Sequence, residues 1–165
     1  MKSGALGVDI GNVIIDHRAI KDSKDESWWN EKHSMIPATE GVFDCLRKLN
    51  DEKTFTDIFL VSKLKEEHDK RTLNWLKVNN FFEKTGIKPE NFFFCRERSE
   101  KERICRENNI TYFVDDRLEV LSYMIGVVPN LYLFQPDPNE VEEFKKFLPK
   151  VIRVESWAEV LSKII

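Results

Sequence analysis

Five side chains with complementary chemistry are spread over most of the 165-residue chain: Asp9, Ser62, Lys101, Asp115 and Asp116. Asp9 closes the apolar run "LGVD", Ser62 closes "FLVS", and the acid pair closes "YFVDD". Lys101 opens the charged segment that leads into the last of these. Three carboxylates in one place repel one another, and a bound cation is the usual way to keep them ionised. Hard oxygen donors of this kind suit Mg2+, which keeps several waters and takes one or two carboxylates. A cation, a hydroxyl and an ammonium around a remaining carboxylate also form a cradle for a phosphate dianion. That carboxylate can then attack phosphorus, while the cation and Lys101 neutralise charge on the transferring group.

For this chemistry to occur, the five residues must share one edge of a sheet. The chain alternates short apolar segments with amphipathic ones, which predicts β-α units and a parallel sheet. Strands are expected at 5–10, 57–62, 91–95, 110–116 and 130–134, with an edge strand in the tail 151–165. Helices are expected at 39–51 with Thr39 as N-cap, and at 65–82 with Leu73, Trp75 and Leu76 inward. Others follow at 99–108 capped by Ser99, at 118–125, at 139–148 capped by Asn139, and after Ser156. In such a sheet, ligands bind beyond the carboxyl ends of the strands, where the polar residues above fall. Residues 1–165 read as one domain, with a flap-like insertion at about 17–38 that carries Trp28 and Trp29 and has no pattern of its own.

Composition excludes several classes. A net charge of −3 with both signs interspersed leaves no footprint for nucleic acid or an anionic membrane. Asp9 interrupts the only apolar stretch near the N-terminus, so no signal peptide is expected, and no run approaches the ~20 residues needed to span a bilayer. Cys45, Cys95 and Cys105 have neither metal-ligand spacing nor an even count, and are expected as buried thiols in a cytoplasmic protein.

"LGVDIGNVI", "DIFLVS", Lys101 and "TYFVDD" resemble, in order, the four motifs of the haloacid dehalogenase (HAD) superfamily of phosphohydrolases. The resemblance implies a Rossmann-like three-layer α/β sandwich with sheet order 5-4-1-2-3, and an Mg2+-dependent phosphomonoesterase working through an aspartyl-phosphate. It implies Asp9 as nucleophile and metal ligand, Gly11 as metal ligand through its carbonyl, and Asp115 and Asp116 as metal ligands. Ser62 and Lys101 would bind the phosphoryl group. Asn12 and Lys63 are placed to reach a phosphate or to remain on the surface.

The departure from the family pattern is Gly11. Most of these phosphatases place there a second aspartate that protonates the leaving oxygen and later activates water. Loss of a general acid costs ~10²–10⁴-fold for a demanding leaving group. Asp16 and His17, just past the turn, either supply the missing relay or simply begin a solvated flap. The alternative function is a degenerate HAD-fold protein that binds metal, phosphate or a protein partner with little turnover. Only 53 positions separate Asp9 from Ser62, and 38 residues lie between Ser62 and Lys101. Neither gap holds a cap domain. A capless site expects cover from a phosphorylated substrate that is itself large, from a partner or second copy, or from the flap. There, Trp28 and Trp29 either pack on the core, join an interface or stack on a substrate.

Overall fold

Val, Ile, Leu and Phe dominate the short runs between helical stretches, and alternate residues of these runs face opposite sides of a sheet. The computed structural model describes residues 2–20, 27 and 31–165. Among them, β1 (Ala5–Val8), β2 (Ile58–Lys63), β3 (Phe92–Cys95), β4 (Ile110–Asp115), β5 (Asn130–Phe134) and β6 (Ile152–Val154) form one parallel sheet. Its order is β3-β2-β1-β4-β5-β6. This is the expected order read from the other edge, with β6 added beyond β5.

One hydrophobic cluster joins Leu6, Val8, Leu60, Val114 and Phe134 to helices α1 (Val42–Asp51), α2 (Glu66–Val78), α3 (Phe81–Thr85) and α7 (Trp157–Ile164). A second joins Ala5, Val61, Phe113, Leu131 and Leu133 to α4 (Glu100–Glu107) and α5 (Leu118–Tyr123). Helix layers thus cover both faces, as a parallel sheet requires. All three cysteines are buried and free. No helix among the described residues is long and apolar enough to cross a membrane.

Several local expectations are corrected. The helix expected at 65–82 breaks into α2 and α3 because Asn80 takes a left-handed conformation, with φ of 52°. Leu73 is 45% exposed rather than inward, while Trp75 and Leu76 are fully buried. Thr39 does not cap α1; the chain turns at Gly41, with φ of 78°, and Thr39 contributes only its carbonyl to Val42 N–H. Ser99 is already helical and makes no capping bond. The helix expected at 139–148 is α6 (Pro138–Glu143) followed by a 3-10 segment (Lys145–Lys150). Its cap is Asp137, which accepts from Asn139 N–H at 2.8 Å with Pro138 in the first turn. Ser156 caps α7 as expected, accepting from Glu159 N–H at 3.1 Å.

The loop after β1 closes on itself and is held from outside. Ile10 O accepts from Ile14 N–H at 2.8 Å and Ile15 N–H at 3.0 Å. Trp157, fully buried, donates its indole N–H to Val13 O at 2.9 Å. The excursion that leaves here returns alongside: Asp16 N–H bonds Pro37 O at 2.9 Å and Thr39 N–H bonds Ile14 O at 2.8 Å. Trp75 pins that return through Ile36 O at 2.8 Å. Such buried carbonyls need partners, and the two indoles provide them. Trp28 and Trp29 lie outside the described residues.

Candidate active site

Strand register gathers the acids. Val8 pairs with Val114, and Asp9 N–H extends that ladder to Val114 O at 3.0 Å, so Asp9 and Asp115 leave adjacent strands side by side. On the other flank Val8 pairs with Leu60, which brings Ser62 to the same edge two residues later. Lys101, in the first turn of α4, is only 2% exposed. Its Nζ lies 3.0 Å from Asp9 Oδ1 and 2.9 Å from Asp115 Oδ2. Asp9, Asp115 and Asp116 each direct a carboxylate oxygen to one place, with those oxygens within 4.8 Å of one another.

The balance of charge around this point is unequal. Burial, and then the Asp9 charge, push the Asp115 carboxyl up to about 6, although Lys101 opposes them. Asp116 is also raised, first by burial and then by Asp9 and Asp115. Burial alone would lower the Lys101 ammonium, yet Asp115 and Asp9 on either side raise it above its ordinary value. Arg18 reaches Asp116 Oδ2 at 3.6 Å and is itself partly exposed. One buried ammonium, between Asp9 and Asp115, and one partly exposed guanidinium at Asp116 therefore meet three carboxyl groups, and the deficit of positive charge is what a hard divalent cation would correct.

A cleft of about 250 Å3 opens on this cluster, lined also by Gly11, Asn12 and Ser62. Ser62 is buried. Asn12, held left-handed with φ of 62°, donates its amide to Asp116 Oδ2 at 3.5 Å. The exposed Lys63 and Arg117 stand at the rim, and Arg117 N–H bonds Asp115 Oδ1 at 3.1 Å. Of the competing cations in "CRERSEKER", Arg96 pairs with Asp69 at 2.8 Å, Arg98 pairs with Glu119 at 2.9 Å beside the cleft, and Arg103 is exposed. Asp16 lines neither this cleft nor the spaces beside it, whereas His17 lies next to Gly11.

Four residues near the site carried no sequence signal. Arg18 bridges Asp116, Asn12 O and Gln135 Oε1, the last two at 3.1 Å. Arg71 and His33 flank His17 in a small cavity behind Gly11. Glu140 accepts from Leu118 N–H and Glu119 N–H, both at 2.8 Å, and so fixes the start of α5 just after the acid pair. A trough of about 690 Å3 runs on from the cleft past Arg18, Gln135 and Asp137, with Asn12, Asp116 and Arg117 shared between the two. Residues 64–99 fold as α2, α3 and β3 with their connecting loops.

No family model matches the chain. It is 27% identical over 109 residues to a candidate nucleotidase of Bacillus cereus, a stretch covering 66% of this chain and 52% of that protein. The chain thus matches about half the length of that relative. Among solved structures, a candidate haloacid dehalogenase-like hydrolase of Burkholderia xenovorans superposes with a TM-score of 0.66 at 10% identity, covering 96% of this chain and 94% of that one. A HAD family hydrolase of Deinococcus radiodurans, with bound phosphate and sodium, gives 0.65 at 13% identity over 98% and 96% of the two chains. D,D-heptose 1,7-bisphosphate phosphatase of B. bronchiseptica, complexed with magnesium and phosphate, gives 0.62 at 14% identity over 98% and 97%. The fold is that of the haloacid dehalogenase-like hydrolases.

Proposed function

We propose that residues 1–165 act as a divalent-cation-dependent phosphomonoester hydrolase in which Asp9 is the nucleophile. The observation that carries this reading is the buried Lys101 ammonium held between Asp9 and Asp115, with Asp116 converging on the same point. A structural ion pair would not require the third acid. The donor set fits Mg2+ through Asp9, Asp115, Asp116 and the carbonyl of Gly11, with waters completing the shell. When bound, the cation supplies positive charge to the transferring phosphoryl oxygens and allows the three acids to stay ionised.

The chain's own groups divide the remaining work. Lys101 donates to Asp9 Oδ1 and leaves the second oxygen for attack on phosphorus. Ser62 and Asn12, which both line the cleft, donate to phosphoryl oxygens. The bond from phosphorus to the leaving oxygen breaks as the Asp9–phosphorus bond forms. Gly11 offers no proton to that oxygen, so the reading favours esters whose leaving group departs readily unprotonated. The trough beyond Arg18 is the space for that group.

The test is hydrolysis of p-nitrophenyl phosphate with and without EDTA, next to Asp9→Asn. The reading expects activity that MgCl2 restores after chelation and that the Asn variant loses. Metal-independent turnover, or an active Asn variant, overturns it.

A further inference from the structure

Beside the acid cleft lies a second, small space of about 40 Å3, bordered by Gly11, His17, His33, Ser62 and Arg71. Gly11 and Ser62 form part of both walls. A volume of this size accommodates one water molecule, whose share of liquid is ~30 Å3. The imidazole of His17 lies along the direction a side chain at position 11 would take. A Cβ added to Gly11 would meet nothing closer than His17 Cδ2 and Nε2, both at 3.9 Å. His17 opens the 3-10 turn His17–Ala19, and the residue before it is anchored by Asp16 N–H to Pro37 O at 2.9 Å. The His33 ring packs against it with centroids 5.9 Å apart. Burial, and then the Arg71 charge, push His17 down to about 4, so the ring rests neutral and is a weaker base than a free imidazole.

We propose that His17 is the general base for the hydrolytic water, replacing the carboxylate absent at position 11. The proposal rests on the phosphoenzyme reading above. In the second half-reaction the water oxygen bonds to phosphorus. The bond from phosphorus to Asp9 Oδ breaks and returns its electron pair to the carboxylate. The water proton passes to His17 Nε2 and from there to solvent or to the departing phosphate. A neutral imidazole has no extra proton to give the leaving group in the first half-reaction. His17 thus restores only one of the two tasks that a carboxyl group at position 11 would perform.

The experiment is stopped-flow hydrolysis of p-nitrophenyl phosphate by wild type, His17→Gln and His17→Ala, with the acid-quenched phosphoenzyme measured in parallel. Rates are referred to the amplitude of the first turnover, which counts competent sites and removes any effect of a misfolded fraction. The expected result is one equivalent of p-nitrophenolate released at the wild-type rate, then steady-state turnover slower by ~10²–10⁴-fold, with phosphoenzyme accumulating. Added imidazole should recover part of the steady-state rate in His17→Ala, where the ring's space is vacated. Equal slowing of both phases, or unchanged steady-state turnover in both variants, overturns the proposal. If Asp9→Asn keeps full activity, it is the phosphoenzyme reading itself that fails.

Discussion

Restoring an acid at position 11 is the sharpest perturbation the structure offers. Gly11 does not occupy the left-handed region, and a Cβ there makes only ordinary van der Waals contact with His17. In Gly11→Asp the first carbon of the side chain therefore fits without backbone change, and the carboxyl beyond it approaches the His17 ring. Gly11 lines both the acid cleft and the space beside His17, so an acid at this position borders the site. A positioned general acid contributes ~10²–10⁴-fold, or about 3–5 kcal/mol of barrier, where the leaving group needs a proton. p-Nitrophenolate scarcely needs one; a primary alkoxide does. The expected outcome is a rise of at least ~10²-fold in kcat/KM for an alkyl phosphate, with p-nitrophenyl phosphate changed less than about tenfold. The assay is the ratio of the two substrates in wild type and variant, in saturating MgCl2. A fourth acid also strengthens cation binding, which would raise both substrates together. Only the change in ratio reports on proton donation. If the ratio stays constant while the variant remains folded and cation-bound, the missing acid does not limit catalysis, and the account of Gly11 is wrong.

Other perturbations probe the frame around the site. Asp115 titrates at about 6 folded against an ordinary value of 3.8, so the folded state holds the extra proton between those values. Cation-free protein should gain stability as pH falls from 7 through that window, by on the order of 3 kcal/mol from this group. Thermal melts with EDTA should show this rise; saturating Mg2+ should flatten it, and Asp115→Asn should reduce it while leaving the part that Asp116 contributes. Trp157→Phe strands the buried Val13 carbonyl that the indole now satisfies at 2.9 Å. Urea denaturation should record a loss of ~1–3 kcal/mol. Glu140→Ala removes both acceptors at the start of α5. The expected cost is ~1–2 kcal/mol of stability, together with weaker Mg2+ binding by calorimetry because Asp116 lies two residues before Leu118.

The acids, the hydroxyl and the parallel α/β sheet were legible in the sequence because each depends on local order. Apolar runs of strand length ending in Asp or Ser place those groups at a sheet edge whatever the helices do. The ordered motifs then supplied the family likeness that the fold bears out. Helix caps were less legible. Thr39, Ser99 and Asn139 are all good capping types, yet the backbone turned at Gly41, entered the helix before Ser99, and gave the cap to Asp137. Capping depends on φ and ψ at one residue, which neighbours in space adjust.

What only the tertiary structure decided is which cation enters the acid cluster and which groups stand behind Gly11. Arg96, Arg98, Lys101 and Arg103 are equivalent in composition, but the phase of α4 against β4 turns Lys101 inward and leaves Arg103 exposed, while Arg96 and Arg98, ahead of the helix, pair with acids outside the cluster. His17, Arg18, His33 and Arg71 come from segments without shared periodicity and meet because the excursion after β1 returns beside its own start and packs on α2. Sequence determines which groups a strand or helix end presents, since that geometry is local. Contacts between irregular segments are set by how the packed core closes around them, and no spacing along the chain encodes that.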